Sequence, residues 1–228
     1  MPITLAFDVY GTLVDTNGVT IALEKHVGNS APAFSRLWRE KQLEYSFRRA
    51  LMQNYAKFSV CIREALDFTC SSFDLTLNPG DRQALIATYE TLPAFDDTEE
   101  GLACATENGF RLFAFSNGSA DVVERLLGNA GIGGYFVDIV SVDDIKSFKP
   151  DPAVYGHFLR SSRSLAATAW LVSGNPFDVM GAISFGMRAA WVRRSPEALF
   201  DPWGIEPTLT AMNLVDLAER ISTYHENL

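Results

Sequence analysis

Asp8 closes the apolar run Ile3 to Phe7 and is followed by Tyr10, Gly11 and Thr12. A short apolar run stopped by a turn signal reads as a buried strand, so Asp8 sits where that strand meets solvent. Gly11 lets backbone approach a ligand closely. A carboxylate in this position can serve as a nucleophile, although a lone aspartate there is more often an ordinary turn residue. Its companions along the chain change that balance. Ser116, Asn117 and Gly118 end the run Arg111 to Phe115, Lys149 precedes Pro150, and Ser173, Gly174 and Asn175 end the run Ala169 to Val172, with Asp178 close behind. Ligand sites in open α/β sheets lie just past the carboxyl ends of the strands. Each segment has a plain reading of its own, as a turn, a loop or a helix start. In this order and spacing they point to one shared site.

The elements that must position these groups alternate. From Pro93 onward, helix Asp96 to Glu107 leads to strand Phe110 to Phe115, helix Asp121 to Ala130 and strand Val137 to Val142. A helix after Asp151-Pro152, strand Ala169 to Val172, helix Asp178 to Phe185, strand Ala189 to Val192 and a terminal helix Asn213 to Ser222 follow. Such alternation predicts an α/β fold with a doubly wound parallel sheet. Residues 16–91 differ. Apolar residues recur at helical intervals over Ser35 to Phe58, with further helices over Val60 to Phe73 and Asp81 to Thr91, and no convincing strand. The expected organisation is a sheet core of residues 1–15 and 92–228 with an all-helical insertion at 16–91.

With 228 residues the chain can bury a substantial core. A net charge of −9 argues against nucleic acid or an anionic membrane as partner. It leaves room for a small anionic substrate held by one or two arginines. The three cysteines and three histidines have no metal-ligand spacing, no apolar run is long enough to span a bilayer, and no leader-like stretch is seen. A cytoplasmic protein with reduced thiols is the expectation.

These motifs, DVYGT at Asp8, Ser116-Asn117, KPDP at Lys149 and the acidic motif at Asp178, resemble those of the haloacid dehalogenase superfamily. The stretch LWREKQLEYS around Arg39 is similar to the helical cap of the L-2-haloacid dehalogenases within it, and the likeness covers essentially the whole chain. The resemblance implies a Rossmann-like core under the helical cap, commonly a homodimer, with no cofactor or metal. It also implies hydrolysis of L-2-haloacids to D-2-hydroxy acids through an ester on Asp8. Lys149 would neutralise the cluster of Asp8 and Asp178, since an opposite charge favours the ionised form. Asp178, with Ser173 and Asn175, would orient and deprotonate the water. Thr12 and Ser116 would position Asp8 or the substrate carboxylate, and Arg39, Asn117 and Phe58 would receive the halide. Tyr10 and Leu43 would line the apolar side of the pocket, with Phe177 and Tyr155 nearby.

The residues also separate this activity from its phosphatase relatives. Phosphatases of the superfamily carry a second aspartate two residues after the nucleophile to protonate an alkoxide; here that position is Tyr10. A halide leaves as a stable anion and needs no such acid. Ser173, Gly174 and Asn175 stand where Mg²⁺ would want carboxylates. Two departures from the family pattern are visible: Gly174 stands where a second serine is usual and is followed closely by Pro176, and Glu40 replaces a glutamine after the cap arginine. A phosphatase, or a catalytically silent binding protein of the same fold, is the alternative.

Overall fold

Thr4–Phe7 forms β1, an all-apolar run apart from Thr4, and all four residues are buried. Continuous burial marks a strand covered on both faces. In the computed structural model, which describes residues 2–226, β1 pairs in parallel with β2 (Arg111–Ser116) on one side and β4 (Ala169–Ser173) on the other. With β3 (Asp138–Ser141), β5 (Arg188–Val192) and β6 (Leu209–Ala211), the six-stranded parallel sheet runs β3-β2-β1-β4-β5-β6. The chain reverses its direction of winding between β1 and β4, the switch point where such sheets open a crevice. Register sets Phe7 beside Ala114 and Val172, so Asp8, one residue on, emerges next to the ends of β2 and β4.

The helices flank the sheet: α5 (Thr98–Glu107) packs on α9 (Leu214–Glu226), and α7 (Pro152–Ser162) packs on α8 (Pro176–Phe185), while α6 (Ala120–Asn129) follows β2. Local chemistry places their ends. Asp151 caps α7 by accepting from Ala153 N, with Pro152 in the first turn, and Gly186 at φ +97° closes α8.

Between β1 and α5 come α1 (Asn17–Val27), α2 (Ala31–Leu51), α3 (Phe58–Ser72) and α4 (Pro79–Ala87), with no strand among them. The chain leaves and re-enters the sheet region at one point, where Asp15 N donates to Pro93 O at 2.8 Å and Phe95 N to Leu13 O at 3.0 Å. The sequence reading of one helix from Ser35 to Phe58 needs correction. α2 stops at Leu51, where Met52 N, Asn54 N and Gln53 N donate to Arg48 O, Arg49 O and Ala50 O, and Gln53 turns to φ +53°. Phe58 therefore begins α3. Strand β6 was not foreseen: three residues at a sheet edge are too few to show a period of two.

Candidate active site

Lys149 is the centre of the polar cluster. Its ammonium is buried and donates to Asp8 Oδ1 at 3.1 Å, Asp178 Oδ2 at 2.7 Å and Phe115 O at 2.8 Å. Three N–H groups meet three acceptors, which leaves the lysine fully engaged. Burial opposes its charge, yet Asp178 and Asp8 carry its pKa above the ordinary value. Its loop is held in turn by Lys149 N donating to Asn117 Oδ1 at 2.9 Å.

Asp8 is gripped unevenly. Its Oδ2 accepts from Thr12 Oγ1 at 2.7 Å, Asn175 Nδ2 at 2.7 Å and Ser173 Oγ at 3.4 Å. Each hydroxyl is aimed by accepting a backbone amide: Gly174 N donates to Thr12 Oγ1 and Asn175 N to Ser173 Oγ. Oδ1 has only Lys149. One carboxylate oxygen thus faces a single donor, while three donors surround the other. Donors so placed can stabilise negative charge that develops on an oxygen at this position.

Asp178 is fully buried, and burial foremost raises its carboxyl to about 6, with the Asp8 charge adding to the rise and Lys149 opposing it. Tyr155 OH donates to Asp178 Oδ1 at 2.9 Å. Tyr155 is itself wholly buried, so it reaches the cluster through Asp178.

The apolar wall comes from both parts of the fold. The Tyr10 ring lies 6.5 Å from Phe58 and 6.1 Å from Tyr89, and burial pushes the Tyr10 phenol up, with Arg39 pulling the other way. Arg39, half-buried on α2, donates to Gln42 Oε1 at 3.5 Å, and Gln42 Nε2 donates to Tyr89 OH at 2.7 Å. Leu43 follows Arg39 by one turn and is half-buried. Ser116 Oγ accepts from Gly118 N at 3.1 Å, shaping its own turn, and makes no hydrogen bond to Asp8 among the described residues. Phe177 packs edge-on against Phe47 at 5.1 Å. A cavity of about 750 Å³ lies beyond that pair, lined by Phe47, Leu51, Phe148, Phe177, Met180 and Trp203 among others; Asp8, Lys149 and Asp178 do not line it. Gln42, Phe47 and Tyr89 were missed because they read as helix-face residues, although Gln42 follows Arg39 by three positions and so shares its face.

A family model for haloacid dehalogenase-like hydrolases matches residues 4–186. The haloacetate dehalogenase H-2 of Moraxella sp. (strain B) is 36% identical over 206 residues, 90% of this chain and 92% of that protein. An (S)-2-haloacid dehalogenase of Pseudomonas putida is 34% identical over 214 residues, 94% of each. The chain belongs to the L-2-haloacid dehalogenase family of the haloacid dehalogenase superfamily. Its fold is similar to that of an L-2-haloacid dehalogenase from Xanthobacter autotrophicus with chloropropionic acid covalently bound, at a TM-score of 0.90 and 30% identity, covering 97% of this chain and 98% of that one.

The Gly174 departure from the family pattern has a structural reason. A Cβ at Gly174 would lie 2.3 Å from Gly11 O, so a serine cannot fit while the two loops approach this closely. Glu40 is exposed, and no ion pair joins it to Arg39 among the described residues. As for ions and membranes, no group of three His, Cys, Asp or Glu residues is spaced to hold a metal among the described residues. No helix there is long and apolar enough to cross a membrane.

Proposed function

We propose that this hydrolase cleaves the carbon–halogen bond of short L-2-haloalkanoic acids, giving D-2-hydroxy acids. The observation that carries the reading is the uneven grip on Asp8, with one oxygen fixed by three donors and the other left to attack. Asp8 Oδ1 displaces halide from C2 with inversion, forming an ester. Water, deprotonated by Asp178, then attacks the ester carbonyl carbon, and the charge that develops on Oδ2 meets Thr12, Ser173 and Asn175. C–O cleavage at the Asp8 side chain releases the hydroxy acid and restores the carboxylate. Arg39, beside Tyr10 and Phe58, supplies the positive charge for the departing halide or the substrate carboxylate. The relative that carries covalently bound chloropropionic acid supports the covalent route.

Two carboxylates already bridged by an ammonium, with the neutral amide of Asn175 beside them, suit chemistry without a metal. In this reading residues 16–91 form a cap over a core of residues 1–15 and 92–228, and the active form is a homodimer. The three unpaired cysteines fit a reducing cytoplasm.

The test is halide release from each enantiomer of 2-chloropropionate in EDTA, with chiral analysis of the lactate, for the wild type and Asp8→Asn. The expected outcome is chloride from the L-form alone, D-lactate as product, and no turnover by Asp8→Asn. Racemic or L-lactate, or a strict need for Mg²⁺, would overturn the mechanism.

A further inference from the structure

The groups that hold Asp8 are themselves held from outside the carboxylate cluster. Thr12 lies in a loop after Gly11, at φ +76°, and its carbonyl oxygen accepts from Arg194 Nε at 3.0 Å and from Arg194 Nη2. Among the described residues nothing else donates to that oxygen. Arg194 stands two residues past β5. Its Nη1 lies 2.7 Å from both oxygens of Asp97, and the guanidinium covers the Phe95 ring at 4.2 Å. Asp97 Oδ2 also accepts from Leu214 N, at the start of α9, at 2.7 Å. The pair is shielded, with side chains 13% and 21% exposed. It is therefore unlike a solvated surface pair, whose two ends move independently. A guanidinium presents its donors in one rigid plane, so Asp97 on one edge fixes the angle at which the other edge meets Thr12 O.

The reach of this contact into the chemistry is short. The same Thr12 whose carbonyl is pinned accepts Gly174 N on its hydroxyl at 2.8 Å and donates that hydroxyl to Asp8 Oδ2 at 2.7 Å. We propose that Arg194, oriented by Asp97, is a positioning residue for the reaction: by fixing the Thr12 carbonyl it aims the Thr12 hydroxyl at Asp8 Oδ2 and so sets the direction in which Oδ1 attacks. This rests on the carbon–halogen hydrolase reading above. A small error in attack geometry costs much in rate and little in substrate binding.

The experiment compares wild type, Arg194→Met, Thr12→Val and the double variant on L-2-chloropropionate, recording kcat, KM and thermal midpoint for each. Arg194→Met should lower kcat by about 30-fold or more, with KM changed by no more than about twofold. On top of Thr12→Val it should cost no more than about a further twofold, because its path to Asp8 runs through the hydroxyl already removed. An equal fold-loss in both backgrounds would show an effect independent of Thr12 and overturn the proposal, as would wild-type kcat in Arg194→Met. If Arg194→Met does not fold, Arg194→Lys carries the same comparison, since it keeps a charge for Asp97 but loses the planar fork. Wild type inactive on both enantiomers would refute the hydrolase reading and this proposal together; an active wild type with indifferent Arg194 variants would refute this proposal alone.

Discussion

Asp178 combines full burial, a hydrogen bond from Tyr155 and an ammonium neighbour, and its carboxyl lies near 6. A base that must be ionised loses activity as it takes up its proton. Lowering the pH through about 6 should therefore reduce kcat about tenfold per unit on the acid side. An exposed carboxylate would hold the rate to about pH 4. Lys149 bridges Asp8 and Asp178, so the limb belongs to the cluster. The Tyr155 hydrogen bond favours the ionised form, so Tyr155→Phe should move the limb to higher pH, by roughly 0.7 unit for a bond worth about 1 kcal/mol; a pH profile of kcat for both proteins checks the sign. The place of Asp8 was legible in the sequence because an apolar run broken by a polar turn names the residue at the strand's end, and that of Lys149 because KPDP resembles the family's lysine motif. Arg194 was not legible. It lies just past a strand that offers no polar motif, and its partner Asp97 is nearly a hundred residues earlier.

The elements carry these side chains only as accurately as they pack. α7 and α8 approach so closely at Gly181 that a Cβ there would lie 2.3 Å from Tyr155 OH and 2.7 Å from Pro150 Cβ. Gly181→Ala should therefore push α8 away from Tyr155 and the Lys149 loop, costing about 1–3 kcal/mol of stability. It should also weaken the Tyr155–Asp178 contact; chemical denaturation and the acid limb of kcat measure the two effects. Glycine inside a helix usually weakens it, and here the close approach explains its presence. At this scale the alternation of strands and helices was readable from apolar periodicity, within two residues at the ends, except that the last helix runs to Glu226 and not to Ser222. The break after Leu51 was not, because the run Leu51, Met52, Tyr55, Phe58 keeps a helical rhythm across a turn made by Gln53 in the left-handed region.

The molecule as a whole carries a net charge of −9, and its apolar groove between α2 and α8 is rimmed by Leu51, 86% exposed, and Trp203, 75% exposed. Exposed apolar patches of this kind mark interaction surfaces, and the prediction for the proposed homodimer is that this face forms the contact. Trp203→Asp combined with Leu51→Asp should shift the protein in analytical ultracentrifugation from twice the chain mass to the chain mass, with no loss of helix by circular dichroism. A wild type that sediments as a monomer would refute the dimer. The strand order has a further consequence for how the protein comes into being. β1 is made first, yet it lies at the middle of the sheet, and its two neighbours begin at Arg111 and Ala169. At roughly 5–20 residues per second of synthesis, the first strand waits roughly 10–30 s for its second partner. The four helices that follow it are complete long before then, since their contacts are local. The chain therefore builds its run of helices on the ribosome while the strand that leads to Asp8 remains unpaired, and Asp8 meets its lysine only after residue 149 has been translated.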